Sequence, residues 1–346
     1  MNFAIIGAGF FGLSTAIKIK EKYPKSKVTI FERENDILLG ASGKNQFRCH
    51  RGYHYPRSEE TIQECLESFG EFNKYFSDTF LKSENYYAIA EKNSLTDFDK
   101  YLKILKRNKL KYKIETSPLL KSDQIQGLVK VDEKLINIYL IKKKFIRLIK
   151  EHNILLKLNH HFILCEENMK NYDCVFLCTY DQNNKNLKLN YKIDKKFYYQ
   201  LVEKIIVKTP KVYSNKSFVI LDGPFMCIDP YIYSNQSILG SVKSSVIDKI
   251  LAKDYDFKKY FKNINSQYYR HIPEKKFKDI KKKFCDFFYG FEKTQYLKSF
   301  IVIRCTIKNK KDERITRITN EKNLFKVFSG KWVNCMLTAK KILKQI

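Results

Sequence analysis

The densest concentration of reactive side chains in this chain is the stretch Asn45-Gln46-Phe47-Arg48-Cys49-His50-Arg51-Gly52-Tyr53-His54-Tyr55-Pro56-Arg57-Ser58. Two of the six histidines fall within it, together with three arginines and two tyrosines. Imidazole can take up a proton near neutral pH, so His50 and His54 are candidates for a general base. Tyr53 and Tyr55 offer orienting hydroxyls or stacking faces. Arg51 and Arg57 can grip a carboxylate or phosphate. The catalytic candidates are therefore His50, His54 and Tyr55, and the substrate-binding candidates here are Arg51, Tyr53 and Arg57. The competing reading is a polar loop whose histidines only satisfy backbone groups, with Arg57 bracing the helix that follows.

A second site precedes it. Gly7-Ala8-Gly9-Phe10-Phe11-Gly12 fits the GxGxxG pattern. Alone that is a weak signal, but its context adds to it. An apolar strand (residues 3–6) precedes the turn, a helix (residues 12–22) follows, and Glu32 ends a second strand (residues 28–31). In such a unit Gly7 makes the tight turn, Gly9 admits a pyrophosphate to the backbone, and Gly12 lets helix and strand pack. The helix N-terminus supplies free N–H groups and positive dipole for phosphate. Glu32, with Arg33 beside it, can accept hydrogen bonds from ribose hydroxyls and repels a 2′-phosphate. The motif does not choose between FAD and NAD.

The following segment, Gly40-Ala41-Ser42-Gly43-Lys44-Asn45-Gln46, resembles the FAD-dependent D-amino-acid oxidase superfamily, which includes glycine oxidase, sarcosine oxidase and L-2-hydroxyglutarate dehydrogenase. Two further stretches agree: residues 172–180, ending at Thr179 and Tyr180, and Phe328-Ser329-Gly330-Lys331 before the last helix. The pattern Ser-Gly-x-Asn followed by His-x-Gly-x-x-Tyr is similar to the L-2-hydroxyglutarate dehydrogenase branch. It is also similar to family members associated with surface-polysaccharide gene clusters, as is Asp222-Gly223-Pro224-Phe225. The resemblance implies FAD held non-covalently by Gly7, Ala8, Gly9, Phe10, Phe11, Gly12, Glu32, Arg33, Ala41, Ser42, Asn45, Gln46, Thr179, Ser329, Gly330 and Lys331. It implies that the histidine loop runs past the flavin, where His50 or His54 would take the proton of an alcohol or amine as hydride leaves. It implies a substrate-carboxylate role for Arg304 on a late strand. The single glycine of the Ser329-Gly330-Lys331 turn departs from the family pattern, and Lys331 is an unusual cation at that place.

These residues need an α/β scaffold to position them. We expect a Rossmann-like domain with a parallel sheet, assembled from residues 1–80, 135–190 and 310–346, and a substrate domain on an antiparallel sheet from residues 81–134 and 191–309. Helices are expected at 59–76, 140–152 and across much of 257–288. Strands are expected at 86–90, 172–179, 201–207, 217–221, 238–242, 300–307 and 325–328.

Composition narrows the classes further. Hydrophobic residues make up 44 % of the 346, enough to fill a core. Lys and Arg exceed Asp and Glu by 66 to 37, a net charge of +29. The lysines are spread along the chain, which reads as compositional drift rather than a nucleic-acid patch, with peripheral membrane contact as an alternative. Nine cysteines without a CxxC pair indicate neither a zinc site nor a disulfide framework, and point to a reducing cytoplasm. Cys174 and Cys178 read as buried thiols of one strand, and no metal site is expected. The expected function is oxidation of a CH–OH or CH–NH bond in a small anionic molecule. The alternatives are a non-redox flavoenzyme like UDP-galactopyranose mutase and a basic flavin-dependent RNA-modifying protein.

Overall fold

The computed structural model describes residues 1–187, 196–257, 275–307 and 314–346. The first part of the helix expected across 257–288, and His271, lie outside the described residues.

The chain opens with β1 (Asn2–Ile6), α1 (Phe10–Lys22) and β2 (Lys27–Phe31). Phe3 to Ile6 are all buried, as befits a parallel strand covered on both faces. Next come β3 (Arg48–Cys49) and α2 (Glu59–Phe76). The Ser58 side chain caps α2 by accepting from Thr61 N–H, and Glu59 and Glu60 complement the dipole. The chain continues through β4 (Glu84–Ala90), α3 (Phe98–Arg107), β5 (Tyr112–Glu115), β6 (Ile125–Val131), β7 (Lys134–Leu135), α4 (Ile138–Glu151), β8 (Leu155–Lys157) and β9 (Cys174–Leu177). A run of strands follows: β10 (Phe197–Lys208), β11 (Lys216–Leu221), β12 (Met226–Tyr231), β13 (Tyr233–Ser241) and β14 (Val246–Ala252). Then come α5 (Lys275–Phe287), β15 (Gln295–Ile307), β16 (Arg317–Glu321), β17 (Leu324–Phe328) and α6 (Cys335–Ile342).

The first sheet has the order β16-β17-β9-β1-β2-β8 and is parallel except at the β16–β17 edge. Ile6 pairs with Phe31 on one side and Leu177 on the other. The C-terminal ends of β1, β2 and β9 therefore lie level, and the residues that follow them share one edge. That edge is where open α/β sheets bind ligands. One face of the sheet packs on α1, α4 and α6 through a cluster that includes Phe10, Ile17, Phe145, Phe176 and Met336.

The second sheet runs β14-β10-β13-β12-β11-β4-β6-β5, with β15 along the other edge of β10. It is antiparallel apart from the β11–β4 pair. Its two faces bury different sets. Phe277, Ile280 and Phe284 of α5 meet Phe218 and Ile220, while Tyr101 and Leu105 of α3 meet Val129 and Val219. Strands from residues 84–131 and 197–307 thus share one sheet.

The fold class is as expected, but β5, β6, β8, β12, β14 and β16 carry no clear sequence signal. Charged residues interrupt their alternation, as in Val246-Ile-Asp-Lys-Ile-Leu-Ala of β14, where Ile250 and Leu251 stay exposed. Cys178 is buried, but Cys174 is only half-buried because it opens β9 at the sheet rim. Among the described residues no helix is long and apolar enough to cross a membrane.

Candidate active site

The turn after β1 is built by contacts that a side chain would block. Gly7 has φ +100°, and a Cβ there would sit 2.8 Å from the Cys178 carbonyl oxygen. At Gly12 a Cβ would lie 1.9 Å from the Gly7 carbonyl oxygen, so helix and turn meet backbone to backbone. At Gly9 the nearest atom is the Ser42 hydroxyl, 2.9 Å from that Cβ position. Ser42 Oγ accepts from the Phe10 N–H at 3.2 Å, lying across the N-terminus of α1. Glu32 is fixed by its own neighbours: the Ala8 N–H donates to Oε2 at 2.7 Å and the Glu34 N–H to Oε1 at 3.1 Å.

A single cavity of about 700 Å³ starts at this turn and continues to the second sheet. Its lining includes Phe31, Glu32, Arg33, His160 and His161; Gly7, Gly9, Phe10, Phe11 and Ser42; and His50, His54, Tyr55, Lys204 and Arg304. Ala41, Asn45, Gln46, Thr179, Ser329, Gly330 and Lys331 complete its wall. Ala8 and Gly12 do not line it. The Ala8 methyl is buried and Gly12 is pressed on Gly7, so both shape the turn from beneath.

The walls are braced by short-range hydrogen bonds. Asn45 donates to the Ala41 and Ser42 carbonyls at 3.1 and 2.9 Å and accepts from Phe47 N–H at 2.6 Å. Thr179 Oγ1 donates to Asn183 Oδ1 at 2.9 Å. Ser329 Oγ accepts from Lys331 N–H at 3.2 Å. The Lys331 ammonium stands 3.3 Å from Glu64 Oε2 and 5.3 Å from the centre of the Tyr55 ring.

Of the histidine loop, Arg48, His50, His54, Tyr55 and Arg57 reach the cavity. The three rings form a triangle: His50 to His54 is 5.2 Å between centres, and Tyr55 is 5.3 Å from each. Burial, followed by the neighbouring His50 and Arg48, pushes the His54 imidazole well below its usual range. His54 is therefore held in its neutral form. Arg57 Nε donates to Asp222 Oδ1 at 3.0 Å, and Arg304 Nε to Gln200 Oε1 at 2.7 Å.

Two substrate-binding candidates lie elsewhere. Arg51 donates to the Asp132 carbonyl at 2.7 Å and to its carboxylate at 2.5 Å, with its guanidinium over Phe69. Tyr53 is fully buried and donates to the Lys111 carbonyl at 2.7 Å. Between them lies Gly52, at φ +107°, and neither flanking side chain lines the cavity.

Other lining residues were not anticipated. Lys204 on β10 hydrogen-bonds to Gln46 Oε1, and burial lowers its amine to about 8. Its signal was a charged pair, Glu203-Lys204, inside the apolar run of β10. Tyr180 (φ +52°) lines the wall and donates to the Cys305 carbonyl at 2.8 Å. Phe225, at the β11–β12 turn, lies 5.7 Å from His54 between ring centres. Both fall in stretches that carry the family resemblance, residues 172–180 and 222–225, but neither has a spacing signal of its own.

Beneath the loop is a buried ionic cluster. Arg48 contacts Asp229, donates to Ser217 Oγ at 2.7 Å, and lies 3.4 Å from Glu133 Oε1. Tyr87 OH donates to Glu133 Oε1 at 2.7 Å and the Arg51 N–H to Oε2 at 3.1 Å. Losing one member of such a cluster strands the others, at a cost of about 3–5 kcal/mol.

The site fits FAD on its own chemistry. A carboxylate stands at the strand end, a glycine at the helix N-terminus, and the cavity of about 700 Å³ runs on from both. The buried Gln46 Nε2 also lacks a hydrogen-bond partner and faces the cavity wall.

Comparison with known proteins agrees. Residues 2–138 match the DAO family, FAD dependent oxidoreductase. The FAD-dependent monooxygenase FPY4 of Fusarium mangiferae is 26 % identical over 136 residues, 39 % of this chain and 36 % of that protein. L-2-hydroxyglutarate dehydrogenase of Indibacter alkaliphilus is 32 % identical over 71 residues, 20 % of this chain and 18 % of that protein. The chain thus spans about a third or less of the length of these curated relatives. Dithionite-reduced L-alpha-glycerophosphate oxidase from Mycoplasma pneumoniae, solved with FAD bound, shares the fold at a TM-score of 0.74 and 13 % identity, over 99 % of this chain and 94 % of that one.

Proposed function

Residues 2–138 belong to the DAO family of FAD-dependent oxidoreductases, and from that premise we propose that the protein oxidises a CH–OH or CH–NH bond of a small anionic molecule. One observation carries the reading. The glycine turn with Glu32 opens into the same cavity as the His50–His54–Tyr55 triangle and the cations Arg57, Lys204 and Arg304. FAD, when bound, supplies the two-electron acceptor for the C–H bond.

The chain's own residues do the rest. Gly9, Ser42 and the N-terminus of α1 receive the pyrophosphate, and Glu32 receives the ribose. Arg57, Lys204 and Arg304 hold the substrate's carboxylate or phosphate, and so fix the orientation of its reacting carbon. His50 or His54 accepts the O–H or N–H proton, and the Tyr55 ring packs against both. Phe225 narrows the water-accessible space beside His54. Two relatives suggest the substrate class, since 2-hydroxyglutarate and glycerophosphate are both anions bearing a CH–OH group.

The test is anaerobic mixing of the FAD-loaded protein with L-2-hydroxy acids, glycerol phosphates and amino acids, following the oxidised-flavin absorbance. Bleaching by one anionic class, and loss of bleaching in His50→Asn or His54→Asn protein that keeps its FAD, supports the reading. Bleaching by neutral compounds alone, or unchanged rates in both variants, contradicts it.

A further inference from the structure

The contact between His50 and Glu133 goes beyond this assignment. His50 Nδ1 lies 3.4 Å from Glu133 Oε1, a close contact short of hydrogen-bond geometry, and is sealed from solvent with no other partner, while the side chain as a whole keeps 19 % exposure. Glu133 is completely buried. It occupies the two-residue link between β6 and β7, and β7 pairs directly with β3, the strand that leads into His50. The carboxylate is therefore held against the histidine by the backbone as well as by its own bonds.

Glu133 is also kept ionised. Burial would raise its carboxyl, but His50, Arg48 and the Tyr87 hydroxyl outweigh that and hold it at about 2. Arg48 is itself shared with Asp229, and Tyr87 and the Arg51 N–H donate to the same carboxylate. An ionised carboxylate accepts hydrogen bonds and cannot donate them. The ring nitrogen facing it is stabilised when it carries the hydrogen.

We infer that Glu133 is a positioning residue that fixes His50 in the Nδ1-protonated tautomer, leaving the Nε2 lone pair for the cavity. This rests on His50 acting in the proposed reaction, and it supplies what a neutral imidazole base needs: one nitrogen held by an acceptor and the other free. No bond is made or broken at Glu133, which stays a carboxylate throughout. Nδ1 of His54 is buried without a hydrogen-bond partner as Nδ1 of His50 is, but among the described residues no carboxylate stands within 4 Å of it. The two imidazoles of the triangle are thus unequal, and His50 is the one with a fixed tautomer.

The test needs no substrate. FAD-loaded protein carrying ¹⁵N-histidine is examined by NMR at alkaline pH, where an imidazole is neutral, and the His50 signals are assigned by their loss in His50→Asn protein. The expected result is a hydrogen on Nδ1 of His50 in the parent protein, retained in Glu133→Gln, which keeps an acceptor oxygen, and transferred to Nε2 in Glu133→Ala. A hydrogen on Nε2 in the parent protein overturns the inference, whether or not the variants fold. An unchanged tautomer in a folded Glu133→Ala protein overturns it equally. Flavin bleaching by His50→Asn protein judges the proposed function separately, so a His50 that is not the base leaves the tautomer result standing.

Discussion

The side chain of Lys204, on the second sheet, reaches the amide oxygen of Gln46 in the loop that leads from the glycine turn to the histidines. This hydrogen bond ties the antiparallel sheet to the cofactor end of the cavity. It also leaves a buried amine, lowered to about 8, facing the space where an anion would sit.

A pH dependence follows. An anion beside Lys204 favours its protonated form, so binding is strongest below about pH 8 and weakens as the amine loses its proton above that value. The fall approaches roughly tenfold per pH unit where one proton is taken up on binding. Titration of 2-hydroxyglutarate into FAD-loaded protein, followed by flavin absorbance, should show this slope in the parent and none in Lys204→Met. Without ligand the sign reverses. Keeping the buried amine charged costs stability at neutral pH, and that cost fades as pH rises from about 8 toward the unfolded value, so Lys204→Met should melt higher at pH 7.

Glu32 accepts two backbone N–H groups and stands where ribose would be bound. Glu32→Ala should weaken FAD binding to the apoprotein by about 1–3 kcal/mol, measured by calorimetry, with a smaller loss for Glu32→Gln. Equal FAD affinity in all three proteins would move the ribose site elsewhere.

The glycines of the turn should separate folding from cofactor binding. A Cβ at Gly12 meets a backbone carbonyl at 1.9 Å, whereas a Cβ at Gly9 meets only the Ser42 hydroxyl at 2.9 Å. Gly12→Ala is expected to lower stability by about 1–3 kcal/mol or more in a denaturant melt of the apoprotein. Gly9→Ala should fold with near-parental stability and lose FAD instead. The opposite pattern would mean that the turn approaches its ligand through Gly12.

How much of this was legible beforehand follows physical lines. The β1–α1–β2 unit was readable because its glycines, apolar runs and terminal acid are local in sequence and each is demanded by backbone geometry. The histidine loop was readable as chemistry but only partly as geometry. Gly52, at φ +107°, marks a turn between Arg51, which reaches Asp132, and Tyr53, which reaches Lys111, but a glycine does not tell which way its neighbours face. Lys204 and Glu133 were missed because strand pairing places them, and the pairing of β10 with β13 and β15, or of β3 with β7, leaves no local period. Edge strands such as β14 and β16 were missed because half of their surface faces water and selects no apolar alternation.

His50 and His54 should differ in what their loss does. Both variants should retain FAD, since neither ring belongs to the glycine turn. His50→Asn should slow flavin reduction by about 10²–10⁴, the usual loss for a general base. His54→Asn should cost less if its part is to pack and orient. Equal, large losses would make the pair a single proton-accepting unit.

The central claim is that one cavity holds FAD beside a proton-accepting histidine pair and cationic anchors for a small anion. Anaerobic stopped-flow absorbance of the FAD-loaded protein tests it most directly. Mixing with L-2-hydroxy acids, glycerol phosphates or amino acids should bleach the oxidised-flavin band for one anionic class, at a rate that saturates with concentration and is lost in His50→Asn. Protein that binds no FAD, or whose flavin none of these anions reduces while dithionite does, would contradict it.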